Sequence, residues 1–283
     1  MCILGFSILE FLKFIFLGLV QGITEVLPVS SSGHVQLLKS LIGLEMEENV
    51  VFLILLNTGS LVTFIIIYFK RLWILVKAFV IYIFKPSKRQ ENKENAIHLA
   101  KILVASVPAG VAGLFFKPII ENNLAEYAIL ISGLGLLFTA TVIYAISTLD
   151  FRQGVTKITW VDSILIGLAQ AVAIVPGISR SGMTTSMALK RDNGINTALD
   201  FSFLMYIFIS LAATSLLIKD LFTTEVVISS VQYVYFAFSF LSAMGATFIA
   251  YKIIFNIFRS GKLRYFSYYC FAVGILAVIL YVI

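Results

Sequence analysis

The sequence predicts an all-α polytopic membrane protein: two structural repeats with broken or re-entrant helices that meet at a central intramembrane site. Three observations carry this. First, 60% of the 283 residues are hydrophobic and only 13% are charged, with a mean hydropathy of +0.99. Soluble domains average about 45–50% apolar and about 25% charged residues, so lipid is the solvent this surface suits. Second, apolar runs long enough to cross a bilayer recur along the chain. Third, two of the apolar stretches are broken at matching places by short polar loops, "PVSSSGH" (28–34) and "PGISRSG" (176–182).

A helix needs about 20 apolar residues to span the hydrocarbon core. Residues 50–69, 99–116, 127–147, 199–218, 231–251 and 265–283 meet that need, and the broken stretches 8–28 and 160–176 are further candidates. Residues 72–84 are short for a span and read as interfacial or re-entrant. Residues 85–98, "KPSKRQENKENAIH", read as an exposed loop that includes His98. The ten-residue alternation of a transmembrane barrel is absent. The whole chain, 1–283, reads as one integral membrane domain.

Net charge is +6, but the basic residues fall in short loops at 70–73, 85–93 and 259–264. That is the bias of cytoplasm-facing loops in a membrane protein, and it argues against nucleic acid as a partner. Cys2 and Cys270 form no disulfide framework. The first apolar stretch carries Glu10 and Lys13 and lacks a small-residue cleavage site, so no signal peptide is expected.

Laying "GLVQGITEVLPVSSSGH" (18–34) over "GLAQAVAIVPGISRSGM" (167–183) reveals an internal repeat with a constant offset of 149 residues and no gap. Gln21 meets Gln170, Ser30 meets Ser179, Ser32 meets Ser181 and Gly33 meets Gly182. Phe52 and Phe201, Leu55 and Leu204, and Lys70 and Lys219 match at the same offset. The repeats run over about 8–147 and about 157–283. Irregular backbone inside a bilayer is tolerated only when buried in protein or lining a watery cavity. Paired breaks in repeated halves point to a shared midplane site. Whether the repeats are inverted or parallel depends on how many spans lie between them.

The copies differ where chemistry would need them to. Glu25 and His34 in the first are Ile174 and Met183 in the second, while Ser31 becomes Arg180. Gln21 and Glu25, four apart, share a helix face. A carboxylate at membrane depth costs about 2.5–3.5 kcal/mol on insertion scales, so Glu25 needs a partner: a metal ion, Arg180 or His34. It could also snorkel at a helix end. Ser31 and His34, three apart, can face each other as hydroxyl and base. Ser30, Ser32, Gly33, Ser179, Ser181 and Gly182 supply caps, or donors for an anion at a helix N-terminus. Arg180 offers a fork suited to phosphate oxygens, or a structural ion pair with Glu25 or Asp200. Aromatic residues elsewhere read as lipid-facing or packing residues. A phosphorylated lipid suits this constellation, its head among the polar loops and its tail in the bilayer, with Glu25 able to hold a divalent cation bridging phosphate oxygens.

"QGITEVLPVSSSGH" with "PGISRSG" resembles the undecaprenyl-diphosphate phosphatase family, the bacitracin-resistance (BacA-type) membrane phosphatases. "VPAGVAGLFF" (107–116) and "DFSFLM" (200–205) extend the resemblance over essentially the whole chain. The resemblance implies hydrolysis of undecaprenyl diphosphate to undecaprenyl phosphate and phosphate. That reaction recycles the lipid carrier of cell-wall synthesis and confers bacitracin resistance. It implies a divalent cation, Mg²⁺ or Ca²⁺, a multi-pass place in the bacterial plasma membrane with the site open to its outer face, and a homodimer as one assembly option. By carry-over Glu25 and Gln21 would position metal and diphosphate. Ser31 would attack, or hold the substrate while water attacks. His34 would serve as base or proton shuttle, and Arg180 would bind the diphosphate. The chain departs from the family pattern at Gln21, where many members carry a carboxylate, and at Asn57, Asp200 and Phe208.

Two other functions fit parts of the pattern. Repeated broken helices also suit a polyprenyl-phosphate transporter or flippase, and the anion-binding loops alone would suit a non-catalytic lipid-binding or antibiotic-sequestering protein. A serine with a histidine and a carboxylate favours the phosphatase, because a carrier needs no nucleophile.

Overall fold

The computed structural model describes residues 7–44, 49–123, 127–149, 154–223, 228–260 and 262–282; Cys2 lies outside them. Helices α1 (Ile8–Val26), α2 (Ser31–Leu41), α3 (Asn49–Phe84), α4 (Arg89–Asn123) and α5 (Ala128–Ile146) make up the first half. The second half holds α6 (Trp160–Val172), α7 (Arg180–Lys190), α8 (Ile195–Thr223), α9 (Ser230–Arg259) and α10 (Leu263–Val282). Among the described residues six helices are long and apolar enough to cross a membrane: most of α3, α4, α5, α8, α9 and α10.

Two expectations about residues 72–98 are corrected. Residues 72–84 are no separate element; they continue α3, which is 36 residues long. At about 1.5 Å per residue that is about 54 Å, well beyond the ~30 Å of a hydrocarbon core. Residues 85–98 are no loop either. A single 3-10 turn, Pro86–Lys88, reverses the chain, and α4 starts at Arg89. "RQENKENAIH" lacks Gly and Pro and is rich in residues that lose little rotamer freedom in a helix. His98 therefore sits on α4, its ring edge-on to Phe201 at 5.9 Å.

Both polar breaks end one helix and cap the next. Leu27 is extended (φ −86°, ψ 152°), as the residue before Pro28 is biased to be. Ser30 then caps α2 by accepting from Gly33 N, and Ser179 caps α7 by accepting from Gly182 N. These caps stand at matching positions of the repeat, and α2 and α7 have the same length and offset. Ser30 has φ 67°, a left-handed conformation that is uncommon outside glycine. The matching Ser179 is relaxed at φ −76°.

Each interrupted pair folds back on itself. Lys13 Nζ donates to Ile42 O at 2.5 Å, tying α1 to the end of α2. Arg191 Nε donates to Asp162 Oδ1 at 2.8 Å, tying the start of α6 to the end of α7. Neither α6 nor α7, at about 1.5 Å per residue, is long enough to cross a bilayer. The mouth of the first hairpin lies at the start of α9, where Ser7 N donates to Tyr235 Oη at 2.8 Å. The mouth of the second lies by the α3–α4 turn, where Lys157 pairs with Glu94. With three antiparallel helices between them, the hairpins open toward opposite ends of the bundle, a geometry compatible with inverted repeats. Tyr206 Oη donates to Asn57 O at 3.3 Å, and these two residues are themselves 149 apart. Equivalent residues touch each other only near a two-fold axis.

The hairpins are clamped by close backbone approaches. α1 packs along α9 and α5 along α10. A Cβ on Gly22 would lie 2.4 Å from Ala243 O. The break before α7 rests on α5: Gly177 has φ +86°, and a Cβ there would lie 2.1 Å from Ser132 O. We expect Gly177→Ala to cost about 3 kcal/mol or more, from left-handed strain plus overlap. Gly245→Ala, which meets nothing within 4 Å, serves as the control. Thermal unfolding in detergent reads both, and equal midpoints would refute this packing of the break.

Candidate active site

The two breaks meet. Ser181 Oγ donates to Leu27 O at 3.1 Å, and a Cβ on Gly33 would lie 3.0 Å from Gly177 Cα. The Glu25 carboxylate sits at this junction, on the last turn of α1, and its side chain is only 6% exposed. Its Oε2 accepts from Gln21 Nε2 at 2.8 Å and from Ser31 Oγ at 2.5 Å. Its Oε1 pairs with Arg180 Nη2, which comes from the other repeat. A carboxylate this buried is tolerated because every oxygen is paired with a donor and one donor is a cation.

Arg180 stands at the N-terminus of α7. Besides Glu25 its guanidinium donates from Nη1 to Ser210 Oγ at 3.1 Å and lies 4.2 Å over the Tyr206 ring. Charge, hydrogen bond and ring contact together hold the fork flat. Its side chain keeps 27% exposure against 6% for Glu25. A cleft of about 10 Å³, room for about one water, lies against the guanidinium, lined by Glu25, Arg180, Ser181, Ser202, Phe203 and Tyr206.

The expected pairing of Ser31 with His34 is not made. Ser31 is taken by Glu25. His34 Nδ1 lies 2.8 Å from Ser30 O, and its Nε2 lies 2.8 Å from Tyr269 Oη, with the two rings stacked at 5.4 Å. A carbonyl can only accept, so Nδ1 carries the proton, and in the neutral ring Nε2 accepts from Tyr269. The twisted backbone of Ser30 is what aims this carbonyl at the imidazole. Spacing within α2 allowed the Ser31–His34 contact, but side chains on α1 and α10 reach these groups first.

The remaining sequence candidates cluster as caps. Ser30 and Ser32 hydroxyls lie 3.4 Å apart, as do those of Ser179 and Ser181. Gly33 and Gly182 offer their N–H groups to Ser30 and Ser179. Asp200 is not the partner of Arg180; Tyr68 Oη donates to it at 3.1 Å. Three residues of the site escaped sequence reasoning: Tyr206, Ser210 and Tyr269. By sequence the two tyrosines read as lipid-facing or packing residues. A signal exists for Tyr206, which stands one repeat offset from the polar Asn57.

Among the described residues no three His, Cys, Asp or Glu side chains converge to hold a metal ion. Glu25 is the one carboxylate at the junction, and Gln21 adds an amide oxygen. That is a thin donor set, but it fits a hard divalent cation held mainly by substrate phosphates and water.

The profile of the family described as "Bacitracin resistance protein BacA" matches residues 14–276. The chain belongs to the BacA family. It is 38% identical over 268 residues to a Bacillus cereus protein named undecaprenyl-diphosphatase 1, covering 95% of this chain and 97% of that one. An undecaprenyl-diphosphatase of Oceanobacillus iheyensis is 38% identical, covering 93% of this chain and 94% of its own. One of Acholeplasma laidlawii is 33% identical, covering 98% and 99%. With its six apolar helices, this BacA family member is a multi-pass membrane protein.

Proposed function

We propose that the chain is a membrane phosphatase that hydrolyses undecaprenyl diphosphate to undecaprenyl phosphate and inorganic phosphate. The observation that carries this reading is the buried Glu25 carboxylate, held at once by a hydroxyl from one break and a guanidinium from the other. That arrangement supplies a nucleophile, its base and an anion clamp within one junction. Full-length relatives named as undecaprenyl-diphosphatases support the substrate. The product would return the lipid carrier to cell-wall synthesis and confer bacitracin resistance. The protein would act in the bacterial plasma membrane. The hairpins would re-enter the bilayer from opposite faces, with the α1–α2 mouth on the outer face because the basic α3–α4 turn lies at the other end.

In this reading the terminal phosphoryl group draws the Arg180 fork from Glu25 onto its oxygens, and that movement widens the cleft to admit it. Ser210 and Tyr206 hold the guanidinium in place during the exchange. Ser31 Oγ attacks phosphorus as its proton passes to Glu25 Oε2. The bond to the bridging oxygen breaks, and the prenyl monophosphate leaves into lipid. Water then cleaves the phosphoserine and takes it to phosphate, restoring the Ser31 hydroxyl. A Mg²⁺ or Ca²⁺ bound by Glu25 and Gln21 would neutralise phosphate charge. His34 takes no proton from Ser31 in this arrangement; with Tyr269 it would serve as a separate shuttle.

The test is phosphate release from a C15 or C55 prenyl diphosphate by pure protein in detergent, with and without EDTA. Release that EDTA suppresses is expected. No release, with movement of prenyl phosphate across liposomes, would move the assignment to the transporter, a reading favoured by hairpins that open toward opposite ends. Acid-quenched protein is expected to retain label from substrate labelled at the terminal phosphorus. Ser31→Ala should lose both the label and about 10²-fold or more of the rate. Undiminished turnover in Ser31→Ala would make water the attacking group. A homodimer is the assembly proposed from the family, and light scattering in detergent would show it as twice the chain mass.

A further inference from the structure

Away from the Glu25–Arg180 junction, a cavity of about 650 Å³ opens where the α3–α4 turn meets the mouth of the α6–α7 hairpin. Ligand pockets commonly measure about 300–1,000 Å³. Arg71 on α3, Lys93 and Lys101 on α4 and Lys157 before α6 line it, with His98; Glu94 is the one acid among the lining residues. That carboxylate is already engaged by Lys157 at 2.9 Å. Arg71 donates only to a neutral amide, Asn95 Oδ1 at 3.2 Å, and Lys101 only to a carbonyl, Ile158 O at 2.5 Å. Four cations of the lining thus share one acid, Glu94, which Lys157 engages directly and Arg71 acts on through space.

The cavity's level in the membrane can be read from its neighbours. Lys101 Nζ lies 5.6 Å from the centre of the Trp160 ring, and Trp160 is 46% exposed. An exposed tryptophan beside a lysine marks the boundary between hydrocarbon and headgroups. Lys85, Lys88 and Arg89 follow immediately at the α3–α4 turn, which assigns this end to the cytoplasmic leaflet. Basic pockets between membrane helices on that side suit phosphate-bearing headgroups.

We propose that this cavity binds the phosphodiester headgroup of an anionic phospholipid from the cytoplasmic leaflet. Arg71 and Lys101 hold the phosphate, Lys93 adds charge at the rim, and Trp160 lies along the upper acyl chains. The site is separate from the phosphatase junction. Asn57, which contacts Tyr206, lies fourteen residues before Arg71 on α3, a rise of about 21 Å.

The test uses the full chain in neutral detergent, with thermal unfolding followed as phosphatidylglycerol, phosphatidylcholine or inorganic phosphate is added. Phosphatidylglycerol is expected to raise the midpoint saturably, and the other two to leave it unmoved. The triple variant Arg71→Gln, Lys93→Gln, Lys101→Gln should need at least about tenfold more phosphatidylglycerol for half the shift. Its phosphate release without added lipid should match the wild type. Glu94→Gln, which frees Lys157, should lower the half-saturating concentration about fivefold, and it decides the matter if the triple variant does not fold. An equal shift with phosphatidylcholine, or unchanged half-saturation in Glu94→Gln and the triple variant, would overturn the site. A saturable shift with inorganic phosphate that competes with phosphatidylglycerol would overturn the lipid assignment in favour of free phosphate.

Discussion

Arg180→Lys is expected to lower kcat/KM for prenyl diphosphate hydrolysis by about 10³-fold or more, the scale seen when a phosphate-clamping arginine is lost. The lysine keeps the positive charge that the buried Glu25 needs, so the fold should survive. It cannot keep the geometry. The guanidinium reaches Glu25 with one nitrogen and Ser210 with the other at 3.1 Å, while its plane lies 4.2 Å over Tyr206. A single ammonium cannot make both bonds and the ring contact, nor present a planar fork to two phosphate oxygens. Arg180→Ala would confuse two effects, because breaking a buried ion pair by itself costs about 3–5 kcal/mol. The thermal midpoint of the lysine variant, measured beside its kinetics, separates them. Wild-type folding with turnover within tenfold of wild type would remove Arg180 from the chemistry.

Glu25→Gln is expected to have the next largest effect, about 10²–10⁴-fold on kcat, the range for loss of a general base. The amide keeps the size of the side chain but has a single acceptor oxygen and almost no basicity. Ser31 would lose the group that takes its proton, and Arg180 its counter-ion. Residual activity should need more Mg²⁺ or Ca²⁺ for its half-maximal rate, because the one carboxylate at the junction has gone while substrate phosphates still bind the ion. An unchanged metal requirement in this variant would place the metal away from Glu25.

Much of the site was legible before the structure. The polar breaks stood out against apolar flanks. Comparing the copies at one offset separated Glu25, Ser31 and His34 from Arg180. What the sequence could not supply was which neighbour reaches each group first. Ser31 and His34 lie on one turn of α2, which permits their contact. The Glu25 carboxylate, arriving from the end of α1, takes the serine, and the Ser30 carbonyl and Tyr269 take both nitrogens of the imidazole. The aromatic members are hard to read because tyrosines are common in membrane helices; the repeat offset to Asn57 marks Tyr206, and only the tertiary fold singles out Tyr269. Residues 72–84 look too short for a span and 85–98 too polar for a helix only when each is read apart from the long helix it belongs to. The lysines and arginines there extend into water from helices that outrun the bilayer.

A structure with a non-hydrolysable prenyl diphosphate bound tests the central claim most directly. The account predicts the terminal phosphate between Arg180 and Ser31, with the guanidinium moved from Glu25 onto phosphate oxygens and its contacts to Ser210 and Tyr206 kept. An analogue bound elsewhere, with Arg180 still paired to Glu25, would contradict it.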